Sequence, residues 1–243
     1  MDKIILGNAP FIAEPYFGHR TRLYDLDLRR NPENVAEIII ESYNQGIKFI
    51  NLVNDENLLK AYDIALDEGC KMDVVATIGK SFDIDYRFPD FDKASNVNWQ
   101  KDIDVLTSYN SDLMLIDEFI VDSYKWNLIS NILDKIEVSS GLITSFPFKT
   151  TDLIPNDLNF DYYMIPINKL GYMMDSGFFS NDTLSLLRDK LLKLDKKIIA
   201  SKVLATGILK APEAFDFINS LDFIDSVAIG VASKEEVIED FNI

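Results

Sequence analysis

Eight short apolar runs, separated by segments of helical period, constrain this chain more than any other feature. In order they are KIILGNAPFI, IKFINLV, MDVVATIG, DLMLIDEF, GLITSFP, DYYMIPIN, KIIASKVL and DSVAIGV. They are almost continuously apolar rather than alternating, as strands of a parallel sheet covered on both faces are. The segments between them carry the helical signal. NPENVAEIIIESYNQG puts Val35, Ile38, Ile39 and Tyr43 on one face, with Asn31 at the cap position, Pro32 in the first turn and Gly46 just past the end. ENLLKAYDIALDEG, WQKDIDVLTSYN, SYKWNLISNILDKI, NDTLSLLRDKLLKLD and APEAFDFINS read as further helices. SKEEVIEDF closes the chain on a capping box, Ser233 to Glu236. KTTDLIPNDLNF, between runs five and six, predicts only a short helical turn. A single (β/α)8 TIM barrel over residues 1–243 accounts for the alternation.

Composition removes several classes of function. The chain is 47% apolar with 16 Phe and 10 Tyr, ample material for a packed core. No apolar run reaches the roughly 18 residues of a membrane span, and the N-terminal stretch is too short and too weakly basic for a secretory signal. The single cysteine, Cys70, forms no internal disulfide, and no Cys/His cluster is present to hold a metal. A cytoplasmic protein without membrane attachment is expected. A formal charge of −16 repels phosphate backbones and argues against nucleic acid as a partner.

In a barrel of this kind the chemistry sits at the C-terminal ends of the strands and in the loops that follow. Two of those loops stand out. GHRTRLYDLDLRR, after strand one, gathers His19, the only histidine, with Arg20, Arg22, Arg29 and Arg30, four of the chain's six arginines. Guanidinium forks suit bidentate recognition of phosphate or carboxylate. His19, Arg20 and Arg22 are therefore candidates to bind a small anionic molecule, while Arg29 and Arg30 are expected to pair with Asp25 and Asp27. The loop after strand three, KSFDIDYRFPDFDKASNVN, offers Phe82, Tyr86, Phe88 and Phe91 as a lid or as plain cover for the barrel top.

The segment KKIIASKVLATGILKAPEAFDFINSLDFIDSVAIGVASKEEVIEDF resembles the aldo/keto reductase superfamily. So, in order along the chain, do ILGNAPF, NQGIKFIN, VVATIG, SDLMLID and YYMIPIN. The resemblance implies a barrel of that type, hydride transfer from NADP or NAD, no metal, and a tetrad of Asp, Tyr, Lys and His. Carried over by position, the tetrad falls on Asn51, Glu56, Ile78 with Lys80 two residues on, and Asp117. Every identity has changed, so the resemblance implies a divergent reductase with Asn51, Glu56, Lys80 and Asp117 in the tetrad positions. Nicotinamide contacts would fall to Thr144, Ser145 and Asn168, and the adenosine phosphate to Lys234.

Other chemistry stays open. Lys202 interrupts the apolar run IIASKVL, where burial would depress its pKa and pairing with Asp117 or Glu118 would hold it. A lyase or isomerase using Lys202 with Asp117 is the alternative, and a non-catalytic binding barrel is another. The structural reading of Lys202 is a buried ion pair. Because neighbours on a strand face opposite ways, only one of Asp117 and Glu118 is expected in the barrel mouth.

Overall fold

The computed structural model describes residues 4–82, 89–176 and 179–241. Eight parallel strands close into a barrel in sequence order: β1 Ile4–Leu6, β2 Phe49–Val53, β3 Asp73–Ile78, β4 Ser111–Ile116, β5 Ser139–Ile143, β6 Tyr162–Pro166, β7 Lys197–Ser201 and β8 Ser226–Ile229. β1 pairs with β8, so no strand edge is left open. The helices are α1 His19–Tyr24, α2 Pro32–Asn44, α3 Glu56–Asp67, α4 Trp99–Thr107, α5 Glu118–Val121, α6 Trp126–Leu133, α7 Pro147–Leu153, α8 Asn181–Leu194, α9 Ala211–Asn219 and α10 Lys234–Phe241. The (β/α)8 barrel expected from the alternation is the fold. No described helix is long and apolar enough to cross a membrane.

The apolar runs fill both sides of the barrel wall. Ile5, Val75, Leu113, Leu115, Ile143, Met164 and Ile199 pack inside it, while Leu6, Ile50, Leu52, Ala76 and Ile116 pack outward against the helices. The inward rows continue, two residues at a time, to the C-terminal rim. There they bring Gly7, Asn51, Thr77 and Ser201 to the wall, so polar groups join the apolar lining at the mouth.

Four local features differ from the sequence reading. The arginine-rich segment after β1 is helical rather than a loop: α1 runs into a wider helical turn over Asp25–Arg29. Asn31 does not cap α2 with its side chain, which donates to the Leu26 carbonyl instead. α7 is a seven-residue helix opened by Pro147, more than a turn. Run four stops as a strand at Ile116, where the Asp117 side chain accepts from the Phe119 N–H at 3.0 Å and caps α5. Half of the closing capping box forms as expected, the Glu236 N–H donating to Ser233 Oγ, while the Glu236 carboxylate accepts from the Ala232 N–H, one residue before the cap.

Candidate active site

A cavity of about 130 Å³ opens at the C-terminal rim, walled by Ile12, Val53, Ile143, Met164 and Leu204 on its apolar side. Its charged lining comes from four separate strands' ends: Glu14 after β1, Lys80 after β3, Asp117 and Glu118 after β4, and Lys202 after β7. Each is carried there by a specific piece of local structure.

Lys80 follows Gly79, whose φ of +78° ends β3 in a turn that turns the chain inward. The buried Asp102 of α4 fixes that turn, accepting from the Gly79 N–H at 2.8 Å and from the Asn54 amide at 2.8 Å. A Cβ at Gly79 would stand 2.3 Å from Ile120 Cδ1. Gly79→Ala is therefore expected to cost about 1–3 kcal/mol, from the left-handed backbone and the displaced Ile120. Urea unfolding reads this directly, and an unchanged midpoint would contradict it.

Lys80 Nζ lies 2.5 Å from Glu14 Oε1 and 3.6 Å from Asp117 Oδ2, with all three side chains less than a tenth exposed. Glu14 is itself delivered by an unusual backbone, the preceding Ala13 having a φ of +52°. Lys202 also sits in the left-handed region, at φ +54°, directly after β7. The Asn168 amide holds its carbonyl at 3.2 Å. A non-glycine residue held so is strained by about 1–3 kcal/mol, and such strain gathers at functional sites. The turn aims Lys202 Nζ at Glu118 Oε2, 3.2 Å away, and at Ser145 Oγ, 3.0 Å away. Ser145 in turn donates to Glu118 at 2.6 Å, and the ring of Tyr16 lies 5.2 Å from Lys202 Nζ.

The two adjacent carboxylates are shifted in opposite directions. Burial pushes Asp117 up, Lys80 only partly offsetting it, with Glu118 and Glu14 adding to the rise. For Glu118 burial also acts upward, but Lys202, Lys80 and the Ser145 hydroxyl outweigh it and hold the group well below the usual carboxylate range. Asp117 is thus the carboxylate that takes a proton most readily, and Glu118 the permanent counterion of Lys202. Both face the cavity, against the expectation that only one would. The reason is the strand's end at Ile116: Asp117 is a helix cap and Glu118 the first helical residue, so strand alternation no longer applies.

The other expected residues fall as follows. Asn51 lines the cavity, its amide donating to the Val75 carbonyl at 2.8 Å and to Thr77 Oγ1 at 2.9 Å. Glu56 is exposed at the start of α3, off the cavity wall, where the neighbouring Asp55 is the cap. His19 and Arg22 are exposed and do not line the cavity. Arg20 donates to the Thr206 carbonyl, tying α1 to the loop after β7. Arg30 pairs with Asp25 at 2.6 Å as expected, whereas Arg29 pairs with Asp55 at 3.4 Å rather than with Asp27 and lies 4.9 Å from the Phe82 ring. Phe91 stacks on Phe119 of α5; Tyr86 and Phe88 lie outside the described residues. Glu14 was noted from sequence only as standing, with Asn8, at the end of strand one, and Tyr16 and the linking role of Ser145 were not assigned. A carboxylate inside the apolar stretch FIAEP was the available signal for Glu14, of the same kind that marks Lys202.

The residues expected to hold a nicotinamide cofactor are engaged within the protein. Thr144 is fully buried, its hydroxyl on Asp122 and Thr150. Asn168 is fully buried, donating to the Tyr172 and Lys202 carbonyls and accepting from the Leu170 and Tyr172 N–H groups. Ser145 bridges Glu118 and Lys202, and Lys234 pairs with Glu37 at 2.7 Å on the exposed surface. This donor set does not fit the cofactor.

No family profile and no curated protein sequence matches the chain. Solved structures do. A Pseudomonas aeruginosa protein assigned to the aldo-keto reductases is similar at 13% identity and a TM-score of 0.62, over 98% of this chain and 87% of that one. An orotidine 5'-monophosphate decarboxylase from Methanocaldococcus jannaschii is similar at 16% identity and a TM-score of 0.55, over 100% and 98% of the two chains. An aldo/keto reductase from Brucella melitensis is similar at 16% identity and a TM-score of 0.51, over 87% and 84%. At these identities the likeness is one of fold: the chain carries a (β/α)8 barrel similar to that of aldo-keto reductases.

Proposed function

We propose that the barrel mouth is the active site of an isomerase or lyase that moves a proton on the carbon beside a small molecule's carbonyl group. The observation that carries this reading is the pairing of Asp117, the carboxylate pushed upward, with two lysine ammoniums facing the same small cavity. Asp117 takes a proton from the α-carbon. The electron pair of the broken C–H bond moves into the carbonyl, and the resulting enolate oxygen accepts a hydrogen bond from the Lys202 or Lys80 ammonium. In an isomerase acting on an α-hydroxy carbonyl, Asp117 then returns the proton to the former carbonyl carbon while the α-hydroxyl proton passes to the enolate oxygen, so that the old carbonyl becomes a hydroxyl and the α-carbon the new carbonyl. In a lyase, the enolate's electron pair expels a leaving group from the β-carbon. The Lys202 ammonium, 3.2 Å from Glu118 Oε2 and facing the cavity, is placed to stabilise an oxyanion. Solvent-deuterium exchange into a short hydroxy ketone tests the reading, and Asp117→Asn should slow it at least about a hundredfold.

A second reading, an NAD(P)-dependent reductase with an altered tetrad acting on a small anionic metabolite, is favoured by Asn51, Lys80 and Asp117 lying together on the cavity wall. Calorimetric titration with NADPH separates the two. The engagement of Thr144, Asn168 and Lys234 predicts no binding at about 1 mM, whereas a dissociation constant below about 10 μM would favour the reductase.

A further inference from the structure

Asn8 is a cavity-wall residue whose amide nitrogen meets no partner among the described residues. It stands two residues past β1, is 8% exposed, and its backbone carbonyl accepts from the Ile12 N–H. The amide nitrogen itself is buried. A buried donor without a partner costs about 1–3 kcal/mol, so a native structure that keeps one calls for an explanation. An amide turns readily about its terminal bond, so either end can be offered to a ligand, and both ends are neutral.

The charged groups on the same wall are, by contrast, already matched. Lys80 lies against Glu14 and Asp117, and Lys202 against Glu118 and Ser145. Three carboxylates stand against two ammoniums, a formal excess of one negative charge. An anionic ligand would enter against that excess and would have to draw a lysine from its buried partner. An uncharged ligand breaks no ion pair and needs only a donor for its oxygen, which is what Asn8 has to give.

We infer that the cavity selects uncharged, oxygen-bearing small molecules, and that Asn8 sets this preference by donating to a ligand hydroxyl or carbonyl oxygen. The inference rests on the reading of this cavity as the substrate site, and names the class of molecule it takes.

Two matched pairs of probes test it: hydroxyacetone against pyruvate, and glycolaldehyde against glyoxylate, the members differing only in a CH2OH group replaced by a carboxylate. Binding is read on the full chain by saturation-transfer NMR at neutral pH. The neutral member of each pair should bind at least about tenfold more tightly. Asn8→Leu, which keeps the branched arrangement of heavy atoms and removes the donor, should weaken the neutral probes about fivefold and leave the anions unchanged. Without ligand, Asn8→Leu should keep or raise the melting temperature, because it removes an unmet polar group. Equal or tighter binding of the anions, no binding of either class, or neutral binding indifferent to Asn8→Leu would overturn the inference. So would a lowered melting temperature, which would mean that Asn8 is held by the protein itself. Since the readout is binding and not turnover, such a failure leaves the proton-transfer role of Asp117 and Lys202 to stand or fall on deuterium exchange.

Discussion

Lys202→Met is expected to lose proton-transfer activity by at least about a hundredfold and to destabilise the fold by about 3–5 kcal/mol. The two losses have one cause. Lys202 Nζ is the ammonium within 3.2 Å of Glu118 Oε2, and both side chains are largely buried. Removing it leaves a buried carboxylate that keeps the Ser145 hydroxyl but has lost its ion-pair partner. Such a charge costs several kcal/mol where the pair itself contributed little. Lys202→Met combined with Glu118→Gln should therefore recover most of the stability, since no unpaired charge remains, and should recover none of the activity. Urea unfolding of the single and double variants, beside their exchange rates, reads both halves. Full activity in the double variant would show that the lysine is structural.

The second large effect concerns pH. Asp122 follows α5 and is 3% exposed; its carboxylate accepts from the Thr144 and Thr150 hydroxyls and from the Ser145 N–H at 2.9 Å. Burial dominates those hydrogen bonds, and with Glu118 nearby pushes the group up to about 7. In the unfolded chain it titrates near pH 4. Between about pH 4 and pH 7 the folded state keeps a proton that the unfolded state has released, so stability falls as pH rises through this window. Below it both states are protonated, and above it both are ionised. The full fall attributable to Asp122 is about 4 kcal/mol. Asp122→Asn keeps the polar contacts, with its carbonyl on the Ser145 N–H and its amide on the two threonines, and removes the titration. The stability of the native chain minus that of Asp122→Asn should thus decline from pH 4 to pH 7 and then level. A difference independent of pH would contradict this assignment.

The barrel was legible because each strand is buried on both faces and so appears as an unbroken apolar run. Lys202 was legible for the same reason, as a charge inside such a run. Glu118's entry into the mouth was not, because run four reads as one strand while its last residues form a capped helix. The arginines misled in a different way. Composition shows that four lie together after β1, but not where each points. The fold uses Arg20 on the Thr206 carbonyl, Arg29 on Asp55 and Arg30 on Asp25, fastening a long helical segment over the barrel rim. Thr144 and Asn168 were placed at the right strand ends, but their hydrogen bonds depend on neighbours such as Asp122 and Tyr172 that no local pattern reveals.

The most direct measurement is proton NMR of hydroxyacetone in deuterated buffer with the native protein, Asp117→Asn and Lys202→Met. The expected result is loss of the α-proton signals with the native protein, slowed at least about a hundredfold in each variant. Absence of exchange above the buffer rate, or exchange that both variants retain, would contradict the assignment of this mouth as a proton-transfer site.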